Sequence, residues 1–140
     1  MEMSVGSKLS KPLVADILAS RPGAIVHTIA PMATVREAID AMAEKQVGAL
    51  VVVEGERVVG IVTERDYARK IALKERASRK TPVREIMTAD VISVRPDQTT
   101  EDCMVLMARN RLRHLPVLDD GKLVGMISIR DLVDEIVANL

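Results

Sequence analysis

Hydrophobic and polar positions follow two rhythms along this chain, and both rhythms occur in the same order twice. Val35, Ala38, Ile39, Met42 and Ala43 fall on one face at helical spacing. Thr34 and Glu37 open that helix as a capping box, each side chain satisfying a backbone N–H of the other residue. Ala49–Val53 reads as a strand, Glu54-Gly55-Glu56 as a hairpin turn and Val58–Val62 as the returning strand. A helix over Glu64–Leu73 follows. The second half repeats this. Thr99 and Asp102 start a long helix with Cys103, Leu106 and Met107 on its apolar side. Leu115–Leu118 is a strand, Asp119-Asp120-Gly121 a turn, Leu123–Ile127 the return and Ile129–Ala138 the last helix. Ahead of each block stand a short helix (Leu13–Leu18, echoed by Pro82–Met87) and a short strand (Ile25–Ile29 and Val91–Val94). Pro12 suits a first helical turn, Ser20-Arg21-Pro22-Gly23 ends the first helix, and Pro31 and Pro96 close the strands.

The register runs without a gap from Pro31 on Pro96 to Asp66 on Asp131. It predicts an α/β fold of the mixed α+β kind, with two pseudo-symmetric β-α-β-β-α repeats. The first spans 12–73 and the second 82–140, with a loose lead-in over 1–11 and a charged linker over 74–81. A repeat of about sixty residues buries its apolar surface poorly alone. Two are expected to pack sheet to sheet about a pseudo-two-fold axis, with both strand-to-helix junctions lining the crevice.

Those junctions carry the candidate chemistry. Gly60-Ile61-Val62-Thr63-Glu64-Arg65-Asp66 recurs as Gly125-Met126-Ile127-Ser128-Ile129-Arg130-Asp131. Thr63 and Ser128 end apolar strands where a helix begins, and the free N–H groups of a first turn suit an anion such as phosphate. Asp66 and Asp131 can accept two hydrogen bonds from a vicinal diol. Arg65 and Arg130 stand in the same turn, within reach of phosphate. Hydroxyl, carboxylate and amides together match the ribose and phosphate of a nucleotide. The competing reading is that Thr-x-x-Asp and Ser-x-x-Asp merely cap helices.

Composition narrows the field. One Tyr and no Phe or Trp leave an aliphatic core and no aromatic platform for single-stranded nucleic acid. Twenty basic residues balance twenty acidic ones, so no net positive field draws the chain to nucleic acid or membrane, and only a local basic patch is left open. No apolar run approaches a membrane span. A single cysteine, Cys103, excludes an internal disulfide and a cysteine-rich zinc site, and it suits the cytoplasm. Cys103 on its apolar helix face reads as a small buried hydrophobe. Two unclustered histidines and one cysteine offer neither a nucleophile–base pair nor a metal cluster, so no enzyme is expected.

These residues resemble a known family. From Pro12 to Leu140 the chain is similar to a tandem pair of cystathionine β-synthase (CBS) domains, a Bateman module. The two Gly-apolar-apolar-Thr/Ser-x-x-Asp endings, Arg113-His114-Leu115-Pro116-Val117 and Val83-Arg84-Glu85-Ile86-Met87 carry the resemblance. It implies a regulatory or energy-sensing module that binds AMP, ADP, ATP, S-adenosylmethionine or NAD without catalysis and signals to a separate partner. It implies that Asp66 with Thr63 and Asp131 with Ser128 hold ribose or phosphate. Adenine would lie near Val26, Thr28, Val91 and Ser93, and Arg113 and His114 would meet phosphate. It also implies a homodimer through the helices Glu64–Leu73 and Ile129–Ala138, at apolar positions such as Tyr67, Ile71, Leu132, Ile136 and Val137. The alternative is a dimerisation module with vestigial sites. Gly48-Ala49 replaces Arg113-His114 in the first repeat, and Val51 replaces Pro116, so the two sites are expected to differ.

Overall fold

A computed structural model of the chain describes residues 11–21 and 25–140. The expected lead-in over Met1–Ser10 and the Pro22-Gly23 stop lie outside these residues. The elements are α1 (Val14–Ala19), β1 (Thr28–Ile29), α2 (Val35–Lys45), β2 (Ala49–Glu54), β3 (Arg57–Thr63), α3 (Glu64–Tyr67), α4 (Thr100–Asn110), β4 (His114–Asp119), β5 (Lys122–Ser128) and α5 (Ile129–Ala138). A π-helical turn, Ala68–Ala72, continues α3, and a 3₁₀ turn covers Val83–Glu85. The result is a mixed α+β fold with two small sheets, ordered β1-β2-β3 and β4-β5.

The two long helices form as their patterns require. Thr34 Oγ1 accepts the Glu37 N–H at 3.1 Å and Glu37 Oε1 accepts the Thr34 N–H at 2.8 Å. Thr99 and Asp102 repeat the exchange for α4 at 3.1 and 3.0 Å. Each helix stops at a left-handed residue, Gln46 at φ 56° and Arg111 at φ 55°. The next N–H then reaches back to Met42 O or Met107 O at 3.0 Å. Both hairpins shift register at the same place, Val52/Val53 and Val117/Leu118.

The chain divides into two units, and they are not the two sequence repeats. One unit is Val26–Val91. The other joins the described residues up to Ile25 to Ile92–Leu140. Each body therefore completes its core with the short lead-in that precedes the other repeat in sequence. In Val26–Val91, Val83 and Ile86 are buried among Val35, Met42, Leu50, Val62 and Ile71. Val83 N–H donates to Ala33 O and Val35 N–H to Thr81 O, both at 2.8 Å. In the other unit Val14 and Ile17 are buried among Cys103, Met107, Leu115, Ile127 and Leu132. There Val14 N–H donates to Gln98 O at 2.8 Å and Thr100 N–H to Pro12 O at 3.0 Å.

Four expectations need correction. The strand over Ile25–Ile29 shrinks to Thr28–Ile29, with Ile25 exposed. The strand over Val91–Val94 is a single bridge from Val94 to Val117. Pro116 supplies the reason for the second loss. Val51 N–H donates to His27 O at 3.1 Å and holds β1 in place. Pro116 stands at the position of Val51 and has no N–H to give. The helix over Glu64–Leu73 widens to i−5 bonding, from Leu73 N–H to Ala68 O and Arg76 N–H to Ile71 O, both at 3.0 Å. The second lead-in is a 3₁₀ turn rather than an α-helix. Beside that turn Thr81 is buried and Arg76 pairs with Glu85.

Candidate functional site

Each candidate junction lies where a hairpin meets its last helix. Ala49 pairs with Thr63 at the open end of one hairpin, and His114 with Ser128 at the open end of the other. Arg113 O accepts the Ile129 N–H at 2.9 Å, and Gly48 O accepts the Glu64 N–H at 3.0 Å. The hairpin thus positions the first helical turn. It also sets His114 opposite Ser128 and the Arg113 carbonyl against the first turn of α5, a placement the sequence left open.

The capping reading is realised in both copies. Asp66 Oδ2 accepts Thr63 N–H at 2.9 Å and Thr63 Oγ1–H at 3.1 Å, while Thr63 Oγ1 accepts Asp66 N–H at 3.1 Å. Asp131 Oδ2 accepts Ser128 N–H at 2.7 Å, and Ser128 Oγ accepts Asp131 N–H at 3.1 Å. This corrects the expectation of free first-turn amides. The cap and the preceding strand engage all but the Arg65 and Arg130 N–H groups, among the described residues.

Capping uses only one oxygen of each carboxylate. Lys70 Nζ meets Asp66 Oδ1 at 3.2 Å and donates to Ile86 O at 2.8 Å. Arg21 Nη1 donates to Asp131 Oδ1 at 3.2 Å and Arg21 Nη2 to Met126 O at 3.1 Å. Both carboxylates are mostly buried, at 13% and 16% exposure. An ionised carboxylate has about four acceptor positions. Oδ1 therefore retains room for a donor on each Asp, and Asp131 Oδ2 retains one more because Ser128 Oγ–H does not donate to it.

Sequence reasoning missed Arg21 and Lys70. Lys70 lies one helical turn beyond Asp66, a spacing that signals an ion pair. Arg21 lies 110 positions from Asp131 and carries no such signal.

The other candidates divide. Thr28 sits on β1 opposite Val51, on the strand that also carries Ala49. Val26, Val91 and Ser93 are half-buried loop residues, and Ser93 belongs to the other unit from the remaining three. Arg65 is exposed, and Arg130 pairs with Asp134 at 3.3 Å. Ile71 and Leu132 are buried in their own units and cannot face a second copy. Ile129, Val133, Ile136 and Val137 form an exposed apolar stripe on α5. No group of three or more His, Cys, Asp or Glu among the described residues could hold a metal ion. No helix among them is long and apolar enough to cross a membrane.

Cys103 is fully buried, and burial, with Asp102 adding to it, pushes its thiol up to about 11. At pH 8 roughly one thiol in a thousand is then the reactive thiolate. Iodoacetamide is expected to leave the folded protein unlabelled and to label the denatured protein fully, by intact mass.

The CBS domain family model matches residues 14–73 and 83–138. A solved structure of a protein with CBS domains from Burkholderia ambifaria is 55% identical, with TM-score 0.87, covering 90% of this chain and 94% of that one. The mitochondrial CBS domain-containing protein CBSX3 of Arabidopsis thaliana is 45% identical over 109 residues, 74% of this chain and 53% of that protein. The chain thus spans about half the length of that relative. The CBS domain pair of protein MJ0100, solved with 5′-methylthioadenosine and S-adenosyl-L-methionine, is 25% identical with TM-score 0.81, covering 93% of this chain and 99% of that one.

Proposed function

The chain belongs to the CBS domain family, as a tandem pair, and on that premise we propose that it is a sensor of adenosine-containing ligands. The observation that carries this reading is the pair of mostly buried carboxylates at equivalent junctions, Asp66 and Asp131, whose Oδ1 keeps an acceptor position beside the cation it holds. The helix cap engages Oδ2, and a ribose hydroxyl can donate to the position left on Oδ1. The ligand class is AMP, ADP, ATP, NAD or S-adenosylmethionine, bound without being consumed. Thr63 and Ser128 accompany the carboxylates, and Arg113 and His114 meet phosphate at one site. Val26, Thr28, Val91 and Ser93 supply the adenine surroundings. The setting is the cytoplasm, and the bound state is signalled to a separate protein.

Calorimetric titration with each of the five ligands tests this, with chromatography to confirm that the ligand returns intact. Losing a hydrogen bond to a charged group costs about 1.5–3 kcal/mol, or roughly ten- to a hundredfold in affinity. Asp66→Ala and Asp131→Ala are each expected to weaken one site by that factor and leave the other. If both variants bind as the wild type does, the carboxylates are caps only and the ribose assignment is wrong; if the wild type binds none of the five, the module is a vestigial one.

The exposed stripe on α5 supports a homodimer, because burying it against a second copy removes apolar surface from water. Light scattering at micromolar concentration is expected to give twice the chain mass. Val133→Glu with Val137→Glu is expected to return the monomer mass.

A further inference from the structure

In Val26–Val91 the outer edge of β3 is closed by backbone. Thr88 N–H donates to Ile61 O at 2.9 Å, and Ile61 N–H to Thr88 O at 3.0 Å. Met126 is the counterpart of Ile61, and its carbonyl receives Arg21 Nη2. The same guanidinium supplies the cation at Asp131. One side chain therefore replaces both a backbone contact and a lysine. The charges at the counterpart positions are consistent with this. Glu135 stands where the first repeat has Lys70, and it cannot pair with Asp131. With Ile17 matched to Ile86, Arg21 falls on Asp90, which could not serve Asp66. Each carboxylate thus draws its cation from a different element. Lys70 comes from the helix that Asp66 caps, whereas Arg21 comes from the lead-in.

The Arg21 fastening is incomplete. Its Nε is buried without a partner among the described residues. A buried donor left unsatisfied weakens whatever state contains it. The lead-in it belongs to is otherwise held by Val14 N–H to Gln98 O at 2.8 Å and Ala15 N–H to Pro96 O at 2.9 Å.

We propose that Arg21 is the positioning residue of the Asp131 site, aiming Oδ1 at an arriving diol and coupling occupancy of that carboxylate to docking of α1. The Asp66 site, served from its own helix, lacks this coupling to α1. The inference rests on the adenosine-ligand reading and deepens it. If docking of α1 strengthens ligand binding, the ligand strengthens docking by the same factor.

Amide hydrogen exchange of the full chain, with and without saturating AMP, ADP, ATP, NAD or S-adenosylmethionine in turn, reads the coupling directly. Exchange over Val14–Ala19 is expected to slow by about tenfold on binding, as a charge-assisted hydrogen bond predicts. Arg21→Gln is expected to weaken one site by about tenfold and to abolish the slowing, whereas Lys70→Gln retains it. Wild-type protein that binds any of these probes with no change over Val14–Ala19 overturns the inference alone. So does Arg21→Gln that binds and slows as the wild type does. If Arg21→Gln does not fold, the wild-type comparison decides by itself. Wild-type protein that binds none of the five overturns the adenosine-ligand reading, and this inference with it.

Discussion

Ile86→Ala is expected to lower the unfolding free energy by about 2–5 kcal/mol, as much as Leu50→Ala in the middle of β2. Ile86 lies outside every strand and α-helix of the fold, in a lead-in that sequence reading assigns to the second repeat. Its side chain is nonetheless fully buried in the core of Val26–Val91, beside Val83, Leu50 and Ile71. Truncation removes three carbons and leaves a cavity whose walls include two strands and a helix that cannot close in. The exposed neighbours Arg84 and Glu85 are expected to tolerate Ala within about 0.5 kcal/mol. Urea denaturation measures both, provided the slope with denaturant is unchanged. A loss below about 1 kcal/mol for Ile86→Ala, against a total of roughly 5–15, would show that the lead-in is no part of the folded core.

Gly60→Ala is expected to destabilise by about 1–3 kcal/mol, and Gly125→Ala by clearly less. A Cβ on Gly60 would lie 2.5 Å from Met87 Sδ and 3.1 Å from Thr88 O. Met87 can swing, but Thr88 O cannot, because it accepts the Ile61 N–H at 3.0 Å. The three atoms nearest a Cβ on Gly125 all belong to the Leu18 side chain, with Cδ2 at 2.6 Å and Cδ1 at 3.0 Å. A rotamer change of that half-buried Leu relieves the clash. Equal losses in thermal unfolding of the two variants would mean that the backbone pairing at Thr88 adds no rigidity.

The hairpins and the capped helices were legible because they are local. The period of the apolar residues sets α2 and α4, and Thr34-x-x-Glu37 fixes a start that α2 obeys to the residue. The helix over Ile129–Ala138 likewise has the bounds its pattern gives. The junction residues were legible too, since the spacing of Thr63 and Asp66 already requires that they meet. Strand β1 and its missing counterpart were misread because a parallel strand depends on its neighbour's donors. The difference between Val51 and Pro116 was visible, but its effect falls on residues elsewhere in the chain. Arg21 at Asp131 was invisible for a similar reason, since pairing across such a distance follows from the exchange of lead-ins and not from local pattern.

That exchange also orders events in time. Val26–Val91 is continuous, so its core can close as soon as that stretch has left the ribosome, in the domain-by-domain manner of larger chains. The other unit cannot. Val14 and Ile17 are made early, yet the residues that bury them include Ile127 and Leu132, near the end. Between the two, one whole unit is synthesised while an apolar segment waits without its partners. Contacts so distant in sequence also slow folding, because the intervening chain must be ordered before they form. The unit that carries Asp131 is therefore the later one to assemble, and the one a chaperone would find open.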